Sequence, residues 1–251
     1  MRYIPKHAGT VAEACIRGFI DSQMKVRAEG TPWEAVKVDY GNFTRTSQLR
    51  QILIEEQKGL CAYTGTALDN RLAQRRPSRM EPPRADYWFK PHIEHLKPEE
   101  HCREELEQTG GIVGKDVGED MAYSNMVAAI DVAGTPSEWF GASLRGIKLL
   151  PVMPTMPECE QSFEYLESGR IVGLNDDADV TIANLGLDHA TLEEWRRGAI
   201  RSFLSKANEL TDAKLAEIAR LDGDGVSVFE EFAFVLAPFA RSIHAKRQAS
   251  S

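Results

Sequence analysis

The residues best suited to chemistry lie in the stretch 88–98, where three metal-binding or proton-transferring side chains fall within four positions. These are His92, Glu94 and His95, and Pro98 follows three residues after His95. A histidine has an ordinary pKa near 6.5, so it can act as a general base at neutral pH. A carboxylate is a ligand that a hard cation such as Mg²⁺ prefers. These residue types suit phosphodiester hydrolysis, which needs an activated water and a cation beside the leaving oxygen.

The spacing on a strand decides which of these side chains can act together. Glu94 and His95 are neighbours on a strand predicted to start at Trp88, so their side chains point to opposite faces. We expect a turn or a helix start near Pro98 to reorient one of them. His92 lies on the same strand face as Glu94, and it is either a further ligand, a phosphate contact or a surface histidine.

Three short motifs occur in a fixed order along the chain: Leu60-Cys61-Ala62-Tyr63, His92-Ile93-Glu94-His95-Leu96-Lys97-Pro98 and Tyr123-Ser124-Asn125-Met126. In this order they resemble the HNH (ββα-metal) endonucleases. The resemblance is closest to the PtuB-like nucleases, which are paired with an ATPase in the Septu and retron anti-phage systems. Further similarity at 157–165 and 183–196 extends the resemblance over roughly residues 45–203.

The resemblance implies a role for each residue of the site. His95 would be the general base, Glu94 a metal ligand, and His92 a further ligand. Asn125 would hold the hairpin and orient the base. The chain would then be a metal-dependent endonuclease that uses Mg²⁺ or Mn²⁺, cleaves DNA, and acts in anti-phage defence with a PtuA-like ATPase subunit.

The chain departs from this family at the positions of a structural zinc site. Similar proteins often carry Cys-Ala-Tyr-Cys and a second cysteine pair. Here Cys61 is followed by Thr64, and the later ligands are replaced by Ile130 and by Trp139-Phe140. A tetrahedral zinc site needs all of its ligands, so we expect no structural zinc.

The third residue of the HNH triad has no clear match, and Ser143 and Asp131 are the nearest oxygen donors. This gap supports an alternative function: a degenerate, non-catalytic HNH module that binds a protein partner or nucleic acid. Another alternative is a structural metal site, whose ligands would be His92, His95, His101 and Cys102.

The charge distribution bears on nucleic-acid binding. A net charge of −8 argues against a protein that coats nucleic acid with its whole surface. The segment 71–97 is nevertheless net basic, and beside a candidate phosphodiester site it favours phosphate contact. The predicted nucleic-acid contacts are Arg75, Arg76 and Lys97 of this segment, together with Arg145.

The remaining composition indicates a cytoplasmic protein without a membrane segment. No apolar run approaches the roughly 18 residues of a membrane span, and the first residues lack the apolar core of a signal peptide. The four cysteines are scattered without a disulfide-like spacing, which favours a reducing compartment.

Hydrophobic periodicity predicts an α+β protein with a mainly helical frame. The resemblance implies a central ββα-metal (HNH) finger within that frame. The predicted regions are an N-terminal helical region at 1–58, an HNH-like core at 59–150 and a C-terminal helical region at 151–251. Thr10 is a candidate N-cap for the first helix, with Glu13 completing a capping box. The predicted helices span 10–29, 46–58, 177–185, 190–206, 211–221 and 226–244.

Overall fold

The computed structural model describes residues 1–75, 88–220 and 229–249. It is an α+β protein, about 52% helical with two small antiparallel sheets, so the predicted fold class is confirmed at this level. In the described part, no helix is long and apolar enough to cross a membrane. In chain order the helices and strands are α1 Val11–Ala28, α2 Thr46–Glu56, β1 Phe89–His95, α3 Glu99–Gln108, β2 Met126–Val132, α4 Ala142–Arg145, β3 Phe163–Tyr165, β4 Ile171–Gly173, α5 Asp176–Leu185, α6 Ala190–Lys206, α7 Asp212–Arg220 and α8 Ala233–Ala249.

The strands β1 and β2 form the central antiparallel sheet. Their register pairs His95 with Met126 at one end and Phe89 with Val132 at the other. Apart from Asp131, every residue of β2 is buried, and α2 packs against both strands. The strand predicted at 88–96 is therefore confirmed as β1, and its last residue is His95.

A buried glutamine fixes the segment 60–63 against β2. Gln57 follows α2 and is 2% exposed. Its side-chain amide donates to the carbonyls of Leu60 and Ala128, both at 2.8 Å, and accepts from the Ala128 N–H at 2.7 Å. The N–H of Ala62 also donates to the Ala128 carbonyl, at 3.1 Å. Because the buried amide is fully paired, this brace holds the neighbouring Tyr63 in a defined place beside the sheet.

The start of α1 agrees with the sequence prediction in its main contact. The hydroxyl of Thr10 accepts a hydrogen bond from the N–H of Glu13 at 3.2 Å. The carboxylate of Glu13 returns to the N–H of Gly9 at 2.5 Å, one residue before the amide that a capping box uses. α1 packs against α2, and the ring of Phe19 meets the ring of Phe43 edge-on at 5.1 Å.

The C-terminal region contains the β3–β4 hairpin and four helices. The helices α5, α6 and α7 lie where the sequence predicts them, within one residue at each end. The last helix differs at both ends. The predicted start at 226 falls outside the described residues, and α8 begins at Ala233, after Phe232 has taken a positive φ of 61°. The predicted end at 244 is wrong, because α8 continues to Ala249 and Arg247 donates to the Leu210 carbonyl at 2.8 Å.

One hydrophobic core joins all three predicted regions. It includes Phe19 from the first region, Val127 from the second and Leu192 from the third, each of them buried. The sheet that carries the candidate site therefore packs inside the same core as the helices around it.

Candidate active site

The end of β1 presents Glu94 and His95 on opposite faces of the strand. The carboxylate of Glu94 contacts Tyr63, His92 and Arg145. The imidazole of His95 contacts other groups, on Tyr40 and Asp120. The predicted reorientation near Pro98 is therefore wrong: α3 does begin directly after Pro98, but β1 runs through His95 and its alternation is kept.

A largely buried cluster surrounds the Glu94 carboxylate, whose side chain is 13% exposed. Its Oε1 accepts the Tyr63 hydroxyl at 3.2 Å and forms an ion pair with the Arg145 guanidinium. Its Oε2 lies 3.3 Å from Nε2 of His92. Burial by itself raises the pKa of Glu94, but the hydrogen bond from His92 and the charge of Arg145 outweigh it and hold the pKa below its usual value. The carboxylate is therefore ionised at neutral pH.

Arg145, the last residue of α4, lies in the protein interior with 1% exposure. Its guanidinium donates to the carbonyls of His95 at 2.6 Å and Lys148 at 2.8 Å, and also to the carbonyl of Leu96. The sequence prediction placed Arg145 at a nucleic-acid surface. The structure corrects this, because its donors are used inside the protein and its side chain reaches almost no solvent.

The Glu94 cluster does not fit a divalent cation. Glu94 and His92, the two predicted ligands, do come together. However, the guanidinium of Arg145 already lies against the carboxylate, and it would repel a second cation at that place. Mg²⁺ keeps several waters and is usually held by one or two carboxylates, so the obstacle here is the guanidinium and not the number of ligands. Across the described ranges, no three His, Cys, Asp or Glu side chains form a group that could hold a metal ion.

His95 is buried, with 6% exposure, and its imidazole is oriented by a hydrogen bond through Nε2. Nε2 lies 2.9 Å from the Asp120 carbonyl oxygen and Nδ1 lies 3.6 Å from the Glu99 carboxylate. Because a carbonyl oxygen only accepts, Nε2 carries the proton and Nδ1 is the basic nitrogen. The ring of Tyr40 meets the imidazole edge-on at 4.4 Å. Burial lowers the pKa of His95, although Glu99 and the Asp120 carbonyl oppose this, so the imidazole is neutral at pH 7.

Asn125 joins the ends of β1 and β2. Its side-chain oxygen accepts the Lys97 N–H at 2.7 Å, and its side-chain nitrogen donates to the carbonyls of Lys97 at 3.0 Å and Glu119 at 3.3 Å. Its own carbonyl accepts the Leu96 N–H at 2.8 Å. These contacts join the ends of the two strands. The hydrogen bond that orients His95, in contrast, is donated by its own Nε2 to the Asp120 carbonyl.

The other predicted nucleic-acid contacts are engaged by protein groups where the structure describes them. Arg75 forms an ion pair with Glu231, and its guanidinium lies 4.7 Å from the ring centre of Trp195. Lys97 forms ion pairs with two acidic residues, Glu105 and Glu119. Arg76 and the rest of the stretch 76–87 lie outside the described residues.

The candidates for a third HNH residue brace β2. The hydroxyl of Ser143 donates to the Asp131 carboxylate at 2.9 Å and accepts the Val132 N–H at 2.7 Å. At the position where similar proteins carry a zinc ligand, Cys61 is buried, and its sulfur accepts the Ile130 N–H at 3.3 Å. Both sets of contacts stabilise the sheet.

The alternative structural metal site would use His92, His95, His101 and Cys102. These four side chains do not come together in the structure. His101 binds the Ile147 carbonyl through Nε2 at 3.0 Å, and the Cys102 thiol donates to the Lys97 carbonyl at 3.4 Å. His92 and His95 lie on opposite faces of β1, since they are three residues apart on a strand. These four side chains therefore point to different partners.

Sequence reasoning gave Tyr63, Asp120 and Glu99 no role at the site and gave Arg145 a different one. Tyr63 and Arg145 complete the Glu94 cluster, while the Asp120 carbonyl orients the His95 ring and Glu99 lies beside it. Glu99 follows His95 by four residues, and that spacing at a predicted helix start is a signal that could have found it. The other three are distant in sequence from the residues that they contact.

The chain matches no protein-family model and no curated protein sequence. The resemblance to HNH nucleases therefore depends on the motifs and on the arrangement of the site.

Proposed function

We propose that this protein is a degenerate HNH module that acts by binding a protein partner and does not cut nucleic acid. The observation that carries the proposal is the buried ion pair between Glu94 and Arg145. The guanidinium of Arg145 lies at the position where a nuclease of this kind would bind its cation. The carboxylate is neutralised by the protein itself, so it has little residual attraction for a divalent metal.

The assignment to an HNH module is supported by the order and position of three features. His95 lies at the end of the first strand and Asn125 directly precedes the second. The short helix α4 follows that second strand, as a ββα arrangement requires, and Arg145 at its end reaches back to Glu94. The long connection between the strands contains α3, which is an addition to a simple hairpin.

Charge supports a protein partner over nucleic acid. The chain has a net charge of −8, and long-range repulsion from the phosphate backbone opposes binding. Of the predicted contact residues, Arg145 is buried, and Arg75 and Lys97 are paired with carboxylates. We expect a DNA duplex at physiological salt to bind with a Kd of about 1 µM or weaker, which is the range of non-specific binding.

A plasmid-cleavage assay tests the absence of catalysis. Wild type and His95→Ala are incubated with supercoiled DNA in Mg²⁺ and in Mn²⁺, with and without a PtuA-like ATPase. The expected result is equal, background-level nicking by both proteins under every condition. Metal-dependent cleavage by the wild type that His95→Ala abolishes, with its melting temperature unchanged, would reject the proposal.

A second candidate function is a metal-dependent HNH endonuclease that cleaves DNA in anti-phage defence together with a partner ATPase. The observation that favours it is the state of His95: a neutral imidazole, held through Nε2, whose basic Nδ1 faces the partly exposed Glu99. A fixed neutral imidazole is what a general base requires. This candidate predicts that the ATPase switches on cleavage in the same assay and that His95→Ala removes it.

A further inference from the structure

A cavity of about 430 Å³ lies between the N-terminal segment, α1 and the segment that precedes β2. It is separate from the Glu94 cluster. Its volume falls within the range of small-molecule sites, which run from about 300 to 1,000 Å³. The apolar part of its lining includes Ile16, Ile20 and Met121, and its polar part includes Lys6, His7 and Arg17.

The ammonium group of Lys6 is buried against this cavity without a hydrogen-bond partner among the residues that the structure describes. Its Nζ lies 4.2 Å from the ring centre of Tyr123, which gives it a cation–π contact. Burial lowers the pKa of Lys6 to about 8, with the nearby Glu56 opposing the shift, so the group is still mainly protonated at pH 7. A buried ammonium of this kind is unfavourable unless something pairs with it.

The neighbouring carboxylates are already committed to other donors. Glu13 accepts the Arg17 guanidinium at 2.7 Å through one oxygen and the Gly9 N–H at 2.5 Å through the other. Glu56 accepts the hydroxyl of Tyr123 at 2.9 Å. Among the residues described, Lys6 therefore has no hydrogen bond to these carboxylates, and Glu56 acts on it through charge alone, so an anion in the cavity would be its first hydrogen-bond partner.

From this geometry we infer that the cavity binds a phosphomonoester that carries an apolar or aromatic body. The phosphate would pair with the ammonium of Lys6, with His7 and Arg17 as further donors at the same cavity. The body would lie on the wall formed by Ile16, Ile20 and Met121. Such a group occurs on a free small molecule and on the 5′ end of a nucleic-acid strand, and the chemistry at Lys6 is the same for both.

Calorimetry with phenyl phosphate tests the inference, because this probe has both a phosphomonoester and an aromatic ring. Wild type is expected to bind phenyl phosphate and to bind phenol at least ten times more weakly. Lys6→Met is expected to lower the affinity for phenyl phosphate at least tenfold. The control is Lys25→Met, whose lysine is 78% exposed on α1 and outside the cavity lining, and it should bind as the wild type does.

Two further measurements keep the inference open to contradiction. Lys6→Met should melt at or above the wild-type temperature, since it removes an unpartnered buried charge. In the wild type alone, phenyl phosphate should shift the methyl resonances of Ile16 and Met121 and leave those of Leu215 in α7 unchanged. No binding by the wild type, or equal binding by Lys6→Met, overturns the inference, as do unmoved Ile16 and Met121 resonances.

The source of the phosphate is decided by a matched pair of oligonucleotides. Tighter binding of a 5′-phosphorylated strand than of the 5′-hydroxyl strand, lost in Lys6→Met, assigns the site to a nucleic-acid end. Lys6-dependent binding of phenyl phosphate with no difference between the strands assigns it to a small molecule. Failure of both ligands overturns the inference and leaves the proposed function of the Glu94 site unaffected.

Discussion

The carboxylate of Glu94 lies among a phenol, an imidazole and a guanidinium, and only the guanidinium carries a permanent charge. Desolvating a carboxylate is unfavourable, so its burial depends on the charge and the hydrogen bonds that surround it. Arg145 supplies both, and it also satisfies the carbonyls of His95 and Leu96. A metal ion would supply charge in the same place. The guanidinium of Arg145 therefore supplies the positive charge that a metal ion would supply at Glu94.

Replacing Arg145 by methionine tests this role of the guanidinium. The change leaves the ionised carboxylate of Glu94 buried without its partner, and losses of this kind are about 3–5 kcal/mol in the free energy of unfolding. Urea denaturation measures the loss. Adding Glu94→Gln to Arg145→Met should recover part of it, with a coupling energy of about 0.5–3 kcal/mol.

A matched control for this cycle is Lys214→Met. Lys214 pairs with Glu217 at 2.8 Å on the surface of α7, where the two side chains are 41% and 49% exposed. Surface ion pairs contribute about 0–1 kcal/mol, so this change should have a small effect. Equal losses in Lys214→Met and Arg145→Met would contradict the account of the buried pair.

The pH dependence of stability follows from the lowered pKa of Glu94. A carboxyl group whose pKa is lower in the folded state than in the unfolded state stabilises the fold at any pH above its unfolded value, about 4.3. That contribution is lost as the pH falls through the folded pKa. The difference in unfolding free energy between wild type and Glu94→Gln should therefore be constant from pH 7 to 6 and shrink as the pH falls below about 4.3. A difference that grows on acidification would contradict the shift.

At the scale of the elements, Asn125 determines how the two strands meet. The ladder between β1 and β2 ends at the pair of His95 and Met126, where the chain leaves the sheet toward α3. The amide of Asn125 continues the connection beyond that pair by bonding both backbone groups of Lys97. The side chain of Asn125 thus supplies hydrogen bonds between the two strand ends beyond the last paired residues.

Asn125→Ala should weaken this connection. The partly buried N–H of Lys97 would lose its acceptor, and the loss should fall at the lower end of the roughly 1–3 kcal/mol that an unsatisfied buried group costs. Denaturation should show that loss, and the Lys97 amide should exchange with solvent faster than in the wild type. Asn184→Ala is the control, because Asn184 is half-buried and its side chain makes one solvent-exposed hydrogen bond, at 3.2 Å to the Leu149 carbonyl. We expect its effect to stay within about 0.5 kcal/mol. Unchanged exchange at Lys97 would contradict the role of Asn125.

The elements also separate what the sequence could predict from what it could not. β1 and the helices from α5 to α7 follow from residue type and periodicity, and Thr10 signals the start of α1. The sequence predicts a turn or helix start near Pro98 but not the extent of α3, because Cys102 is the one buried residue of this helix and its sequence lacks an apolar stripe. The pairing of Arg145 with Glu94 joins residues 51 positions apart, and local patterns carry no information on that contact.

At the scale of the whole molecule, one core holds the sheet and the helices together, and the site lies within it. Burial is therefore the common condition of Glu94, His95 and Arg145. It lowers the pKa of His95 and makes the ion pair of Glu94 strong, and it also restricts access of a large substrate to either group. The proposal of a protein-binding module that does not cut DNA rests on this closed, neutralised site.

The measurement that tests this account most directly is a titration of Mn²⁺ into the wild type and into Glu94→Gln, followed by electron paramagnetic resonance. The account predicts no Mn²⁺ binding that depends on Glu94, because Arg145 already neutralises the carboxylate. The two titrations should then coincide up to millimolar metal. A bound Mn²⁺ in the wild type that is lost in Glu94→Gln would contradict the account and would favour the metal-dependent nuclease.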